Sequence, residues 1–108
     1  MPSRPLPISE AASLPWGDAT VSSLVWVNGN RDLRLSVELG DGRSVELDFC
    51  WVDKLRVNLN FGQNENFPPL ACCAQFEPAR DGRHSTAIDF AQHGSISLEF
   101  ETVLVDGI

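Results

Sequence analysis

Five carboxylates form the most suggestive chemical pattern in the chain: Glu46, Asp48, Asp89, Glu99 and Glu101. Each sits at an outward position of an alternating apolar/polar run, which predicts a shared acidic face. Such a face works by attraction, drawing in a basic protein partner and raising its association rate. It serves equally as a solvated face that keeps the chain in solution, and the residues alone leave both readings open. Phe67 lies among the amides of the Gly62–Pro69 loop, placed either to anchor a partner or to cap the core.

Nucleophilic chemistry has thinner support. Cys73 and His84 are the residue types of a thiol–imidazole pair. A pocket near Trp16, Cys72, Cys73 and His84 would suit a small-ligand-binding or hydrolytic protein. No GxSxG, HExxH, glycine-rich phosphate loop or EF-hand pattern accompanies them. His93 falls in Gln92-His93-Gly94, a turn where an exposed polar residue is ordinary. The 3 cysteines, Cys50, Cys72 and Cys73, are odd in number and lack CxxC spacing, so neither a disulfide framework nor a four-ligand zinc site is expected. Free thiols used as small apolar residues fit a reducing cytoplasm. No catalytic residue, metal or cofactor is expected.

These residues stand in 108, with 8 Lys+Arg against 15 Asp+Glu and a net charge of −7. That length suits one domain, and a chain of this size buries roughly two-thirds of its unfolded surface. Phosphate backbones repel so acidic a chain, which argues against nucleic acid as a ligand. No apolar run approaches the ~20 residues of a membrane helix, and the N-terminus has no apolar signal core. A cytoplasmic protein with no membrane partner is expected.

The elements that must position the carboxylates are strands. Residues 1–7 read as an extended, proline-bearing tail, and residues 8–108 as a single β domain. Ser9 is placed to cap a short helical turn, which Pro15 ends by disfavouring helix at Leu14. From Val21 onward the period is two. Val21–Val27 leads to Asn28-Gly29, a hairpin signal. In Leu24-Val25-Trp26-Val27 both faces are apolar, so that strand is either buried on both sides or meets another molecule, a dimer through the Trp26 strand included. Leu70–Glu77, His84–Phe90 and Ile96–Val105 complete the pattern. An antiparallel sandwich or strongly curved sheet of about seven strands, with one short N-terminal helix, follows.

Register can be read for one hairpin. A Gly40-Asp41-Gly42 loop predicts Val37 opposite Val45, Leu35 opposite Leu47, Leu33 opposite Phe49 and Arg34 opposite Asp48, with Gly42 left-handed. The alternative two residues longer sets Glu38 against Glu46, a repulsive pair. Residues 43–61 either turn near Val52-Asp53-Lys54 or run on as one long bent strand. The shared phase predicts Leu35, Leu47, Phe49, Trp51, Val57, Leu59, Ile88, Ile96, Leu98 and Phe100 as core.

Trp16-Gly17-Asp18-Ala19, a hairpin, Val45-Glu46-Leu47-Asp48-Phe49 leading to Leu55, and a final Leu98-Glu99-Phe100-Glu101 make a familiar arrangement. It resembles the small acidic all-β immunity proteins of bacterial polymorphic-toxin and secretion-associated systems, across most of residues 16–105. The resemblance implies a stoichiometric inhibitor that occludes the active site of a cognate toxin, a nuclease among the candidates, and no catalysis. A phage-type inhibitor shares the same size and acidity.

Overall fold

Alternation in Asp32–Glu38 and Ser44–Cys50 gives each strand one apolar face, and a face of that kind needs a second layer to cover it. The computed structural model describes residues 4–59, 70–71, 73–90 and 94–107. Along the chain lie β1 (Arg4–Pro5), α1 (Ile8–Ser13), β2 (Ala19–Val27), β3 (Asp32–Glu38), β4 (Ser44–Cys50), β5 (Asp53–Leu59), β6 (Leu70–Ala71), β7 (Cys73–Pro78), β8 (His84–Asp89), β9 (Gly94–Phe100) and β10 (Thr102–Asp106). One antiparallel sheet has the order β1-β10-β4-β3-β2-β6 and the other β5-β9-β8-β7. The fold is an all-β sandwich with one short helix.

The β3–β4 hairpin has the register expected from its loop. Leu33 faces Phe49, Arg34 faces Asp48, Leu35 faces Leu47 and Val37 faces Val45. Gly42 adopts φ +92°, as the three-residue loop requires. Helix α1 begins two residues earlier than the sequence suggested, with Pro7 at the N-cap position and no side-chain cap, so Ser9 lies inside the first turn. Leu14 is extended, as a residue before proline should be. Leu6 and Trp16 are buried, and the Trp16 indole donates to the Ala11 carbonyl at 2.9 Å.

Both sheets contribute to one core, including Leu35, Leu47 and Phe49 from the first and Ile88, Ile96, Leu98 and Phe100 from the second. Phe49 and Phe100 meet edge to face at 4.9 Å and bridge the layers. Two of the expected core residues are outside it: Trp51 is 53% exposed and Val57 48% exposed. Val57 lies on β5, the margin of its sheet, where alternation still holds but no further described strand covers the inner face. The Leu59 side chain lies outside the described residues.

Trp51 is displaced for a different reason. Strands β4 and β5 make no hairpin with each other, since they belong to different sheets. The segment Ile96–Val105, expected as one strand, also changes sheet at Glu101. The two bends are paired: Thr102 faces Cys50, Glu101 N donates to the Cys50 carbonyl at 2.9 Å, and Glu99 faces Asp53. A two-stranded ribbon therefore folds over at a corner and belongs to both layers. Trp51 takes φ +57° to make that corner, which turns its ring away from the core.

Candidate functional site

The five carboxylates do not share one face. Glu46 and Asp48 lie on the outer face of the β4 sheet, Asp89 and Glu99 on the outer face of the β8–β9 sheet, and Glu101 at the corner between them. Strand phase showed which residues point outward, and a two-layered fold has two outward sides. Phe67 lies outside the described residues.

Each carboxylate has its own surroundings. Asp48 is buried, held by two bonds from Arg34, Nε to Oδ1 at 2.9 Å and Nη2 to Oδ2 at 3.1 Å. It is a structural ion pair of the β3–β4 hairpin and not an open binding group. Glu99 lies 3.5 Å from the Lys54 ammonium, and Arg56 stands in the next row of that sheet, so the charge on this face is mixed. Glu101 is exposed, 3.9 Å from Arg83. Asp89 faces Ser95 and Cys73.

Glu46 is different. Pairing of β10 with β4 sets Asp106 directly opposite it, with Ser36 on its other side. One row along, Glu38 faces Ser44 and Thr20. These residues border a shallow trough of about 390 Å³ that Ser22, Val37, Val45 and Gly107 also line. Glycine is required at 107: its φ is +103°, and a Cβ there would sit 2.5 Å from the Ser44 carbonyl oxygen. The chain closes tightly enough there to bring Asp106 against β4. Among the described residues, no cation pairs with Glu38, Glu46 or Asp106. Arg34, bound to Asp48 and in the field of Glu46 and Asp106, holds its proton more firmly than usual. Asp106 is the residue that sequence reading missed. Alternation predicts a last strand that ends at Val105, and the interruption at Glu101 hides the phase of Asp106.

At the far end of the same sheet, Asp32 organises the corner. Its buried carboxylate accepts two bonds from Arg31 at 2.9 Å, one from Asn28 Nδ2 at 2.6 Å and one from Trp51 N at 3.1 Å. The Arg31 bonds, supported by Asn28 and Trp51 N, outweigh the cost of burial and hold its pKa down to about 2. Arg31 in turn stacks over the Trp51 ring, 4.7 Å from its centroid. The Trp51 carbonyl accepts from Arg83 Nη2.

The thiol–imidazole pair does not form. Cys73 faces Asp89 at one end of the β7–β8 hairpin and His84 faces Pro78 at the other. Five residue steps along the strand separate the two rows, about 17 Å at the usual rise. His84 lies against Phe100, with ring centroids 5.8 Å apart, and Trp16 is buried beside Phe76. Cys50 and Cys73 are free thiols, Cys50 buried and Cys73 exposed, and burial pushes the Cys50 thiol pKa up. Cys72 lies outside the described residues. Among the described residues no group of His, Cys, Asp and Glu is arranged to hold a metal ion. No described helix is long and apolar enough to cross a membrane.

No family model, curated protein or solved structure matches the chain.

Proposed function

We propose that the chain is a cytoplasmic binding protein whose acidic trough engages a basic protein partner, in the manner of a bacterial immunity protein neutralising its cognate toxin. The observation that supports this most is the Glu46–Asp106 pair, two carboxylates set directly opposite on neighbouring strands. Like charges so placed cost roughly 0.2–1 kcal/mol of stability. Glu38 adds a third carboxylate at the same trough, and Arg34 is already committed to Asp48. A partner's lysine or arginine supplies the missing charge. The trough is shallow and open, with serine and threonine hydroxyls beside Val37 and Val45, which suits a protein surface better than an enclosed small molecule. Free thiols at Cys50 and Cys73 fit a reducing compartment.

Capture from extracts of the source cells on the immobilised chain, with mass spectrometry of what is retained, tests the binding reading. The expected result is a basic protein whose own activity is titrated to zero at one equivalent of the chain. A captured protein whose activity is untouched by excess chain would remove the immunity reading. Retention of only acidic proteins would remove the trough as well.

A further inference from the structure

The turn between β2 and β3, Asn28-Gly29-Asn30-Arg31, lies at the corner end of its sheet, away from the trough. Asn28-Gly29 is the one Asn-Gly pair in the chain. Such a pair has chemistry of its own, because glycine has no side chain to hinder its backbone nitrogen as it approaches the asparagine side-chain carbonyl carbon. Here the approach is open. Asn28 and Gly29 are both exposed, nothing stands within 4 Å of the place a Gly29 Cβ would take, and among the described residues no acceptor pairs with the Gly29 N–H. Asn30 and Asn58 precede an arginine and a leucine, residue types that hinder the same attack.

The Asn28 amide is also in use. Its Nδ2 donates to Asp32 Oδ2 at 2.6 Å, and Asp32, 2% exposed, is the carboxylate that accepts from Trp51 N. We infer that Asn28 is a spontaneous modification site: it deamidates to aspartate and isoaspartate, and the product releases the corner that Asp32 holds. Gly29 N attacks Asn28 Cγ; the N–Cγ bond forms, the Cγ–Nδ2 bond breaks, and the proton lost from Gly29 N leaves, in net, with the amide nitrogen as ammonia. Water then opens the cyclic imide. Opening at the Cγ carbonyl gives aspartate, and opening at the backbone carbonyl carbon gives isoaspartate. No other reactant is needed. Loss of ammonia makes the step irreversible, so the modified fraction records the age of the molecule.

Either product puts a carboxylate where the donor stood, against a carboxylate that the fold buries. Burial leaves little water to screen the two, so they repel strongly unless a proton or a cation comes between them. The cations nearby are committed. Arg31 already gives Asp32 two bonds, Arg83 donates to the Trp51 carbonyl and lies 3.9 Å from Glu101, and Arg34 holds Asp48. The Cys50 thiol, in the field of Asp32 and Asp48, supplies no positive charge. Asp32 must therefore turn away from residue 28 or take up a proton, and either change weakens its hold on Trp51 N. Isoaspartate also adds a backbone methylene inside the turn that sets Val27 opposite Asp32.

The test follows the purified chain as it ages. Held folded in mildly alkaline buffer and then sequenced by tandem mass spectrometry, it should exchange NH2 for OH at Asn28 ahead of Asn30 and Asn58, with isoaspartate exceeding aspartate. The rate should fall in mildly acidic buffer, since the attack needs the deprotonated amide nitrogen. The aged fraction should unfold at lower denaturant than fresh chain. Asn28→Asp, made directly, should have a lower denaturation midpoint than wild type at neutral pH. That gap should narrow as pH falls through ~4, where the new side chain is protonated and donates to Asp32 again. Asn28→Ala loses the bond without gaining charge, so its gap should stay level over the same range. If Asn28→Asp does not fold at neutral pH, the aged fraction supplies the same comparison. Asn28 left intact in the folded chain, while the chain in denaturant deamidates, overturns the inference. So do parallel pH profiles for Asn28→Asp and Asn28→Ala.

Discussion

Asp32 and Asp48 resemble each other in sequence, aspartates inside alternating strands, and both are spent on structure. Asp32 has the stronger consequence for pH. Its ordinary pKa of 3.8 falls to about 2 in the fold, chiefly through the Arg31 bonds. The unfolded chain thus takes up the proton first. The stabilisation is fully present above pH ~4, amounts to about 2 kcal/mol, and is lost as pH falls through 2. Denaturation midpoints of Asp32→Asn measured from pH 5 down to pH 2 should slope less than those of wild type; parallel slopes would contradict the pin. Asp106 has the opposite character. Asp106→Asn removes the repulsion with Glu46 and should raise stability by a few tenths of a kcal/mol while weakening partner binding. Among the thiols, peptide mapping after brief alkylation of the native chain should find Cys73 modified well ahead of Cys50, since Cys50 is buried and its thiolate disfavoured.

The β3–β4 hairpin was legible in full, because a three-residue turn and a two-residue pleat are local facts. The corner was not. Trp51 continues the apolar phase of Val45, Leu47 and Phe49, and only contacts distant in sequence, from Arg31, Asp32 and Arg83, hold it left-handed. The same distance effect hid the acidic trough: phase marks Glu46 as outward, but its neighbour Asp106 depends on a β4–β10 pairing that no turn encodes. The difference has a measurable size. Leu47→Ala, at a fully buried position, should cost about 2–5 kcal/mol in a denaturation experiment. Trp51→Gly loses a half-exposed stacking contact worth about 1 kcal/mol and relieves a left-handed residue costing about 1–2, so its net change should stay within ~1 kcal/mol. A loss as large as that of Leu47→Ala would mean that Trp51 belongs to the core after all.

Taken whole, the molecule divides its surface by charge. One outer face is mixed, with Lys54 beside Glu99 and Arg56 nearby; the β2 margin is neutral; and the trough at Glu38, Glu46 and Asp106 concentrates carboxylates that no described cation pairs with. That arrangement gives the net charge of −7 a direction, and a directed field acts mostly on association rate. The most direct measurement is the association rate of the captured basic partner with wild type, with Glu46→Lys/Asp106→Lys, and with Glu99→Lys/Glu101→Lys, each across a salt series. Wild type should associate fastest at low salt and slow steeply as salt rises. The Glu46/Asp106 variant should be slow with little salt dependence, and the Glu99/Glu101 variant should lie near wild type. Equal rates for wild type and the Glu46/Asp106 variant at low salt would contradict the account.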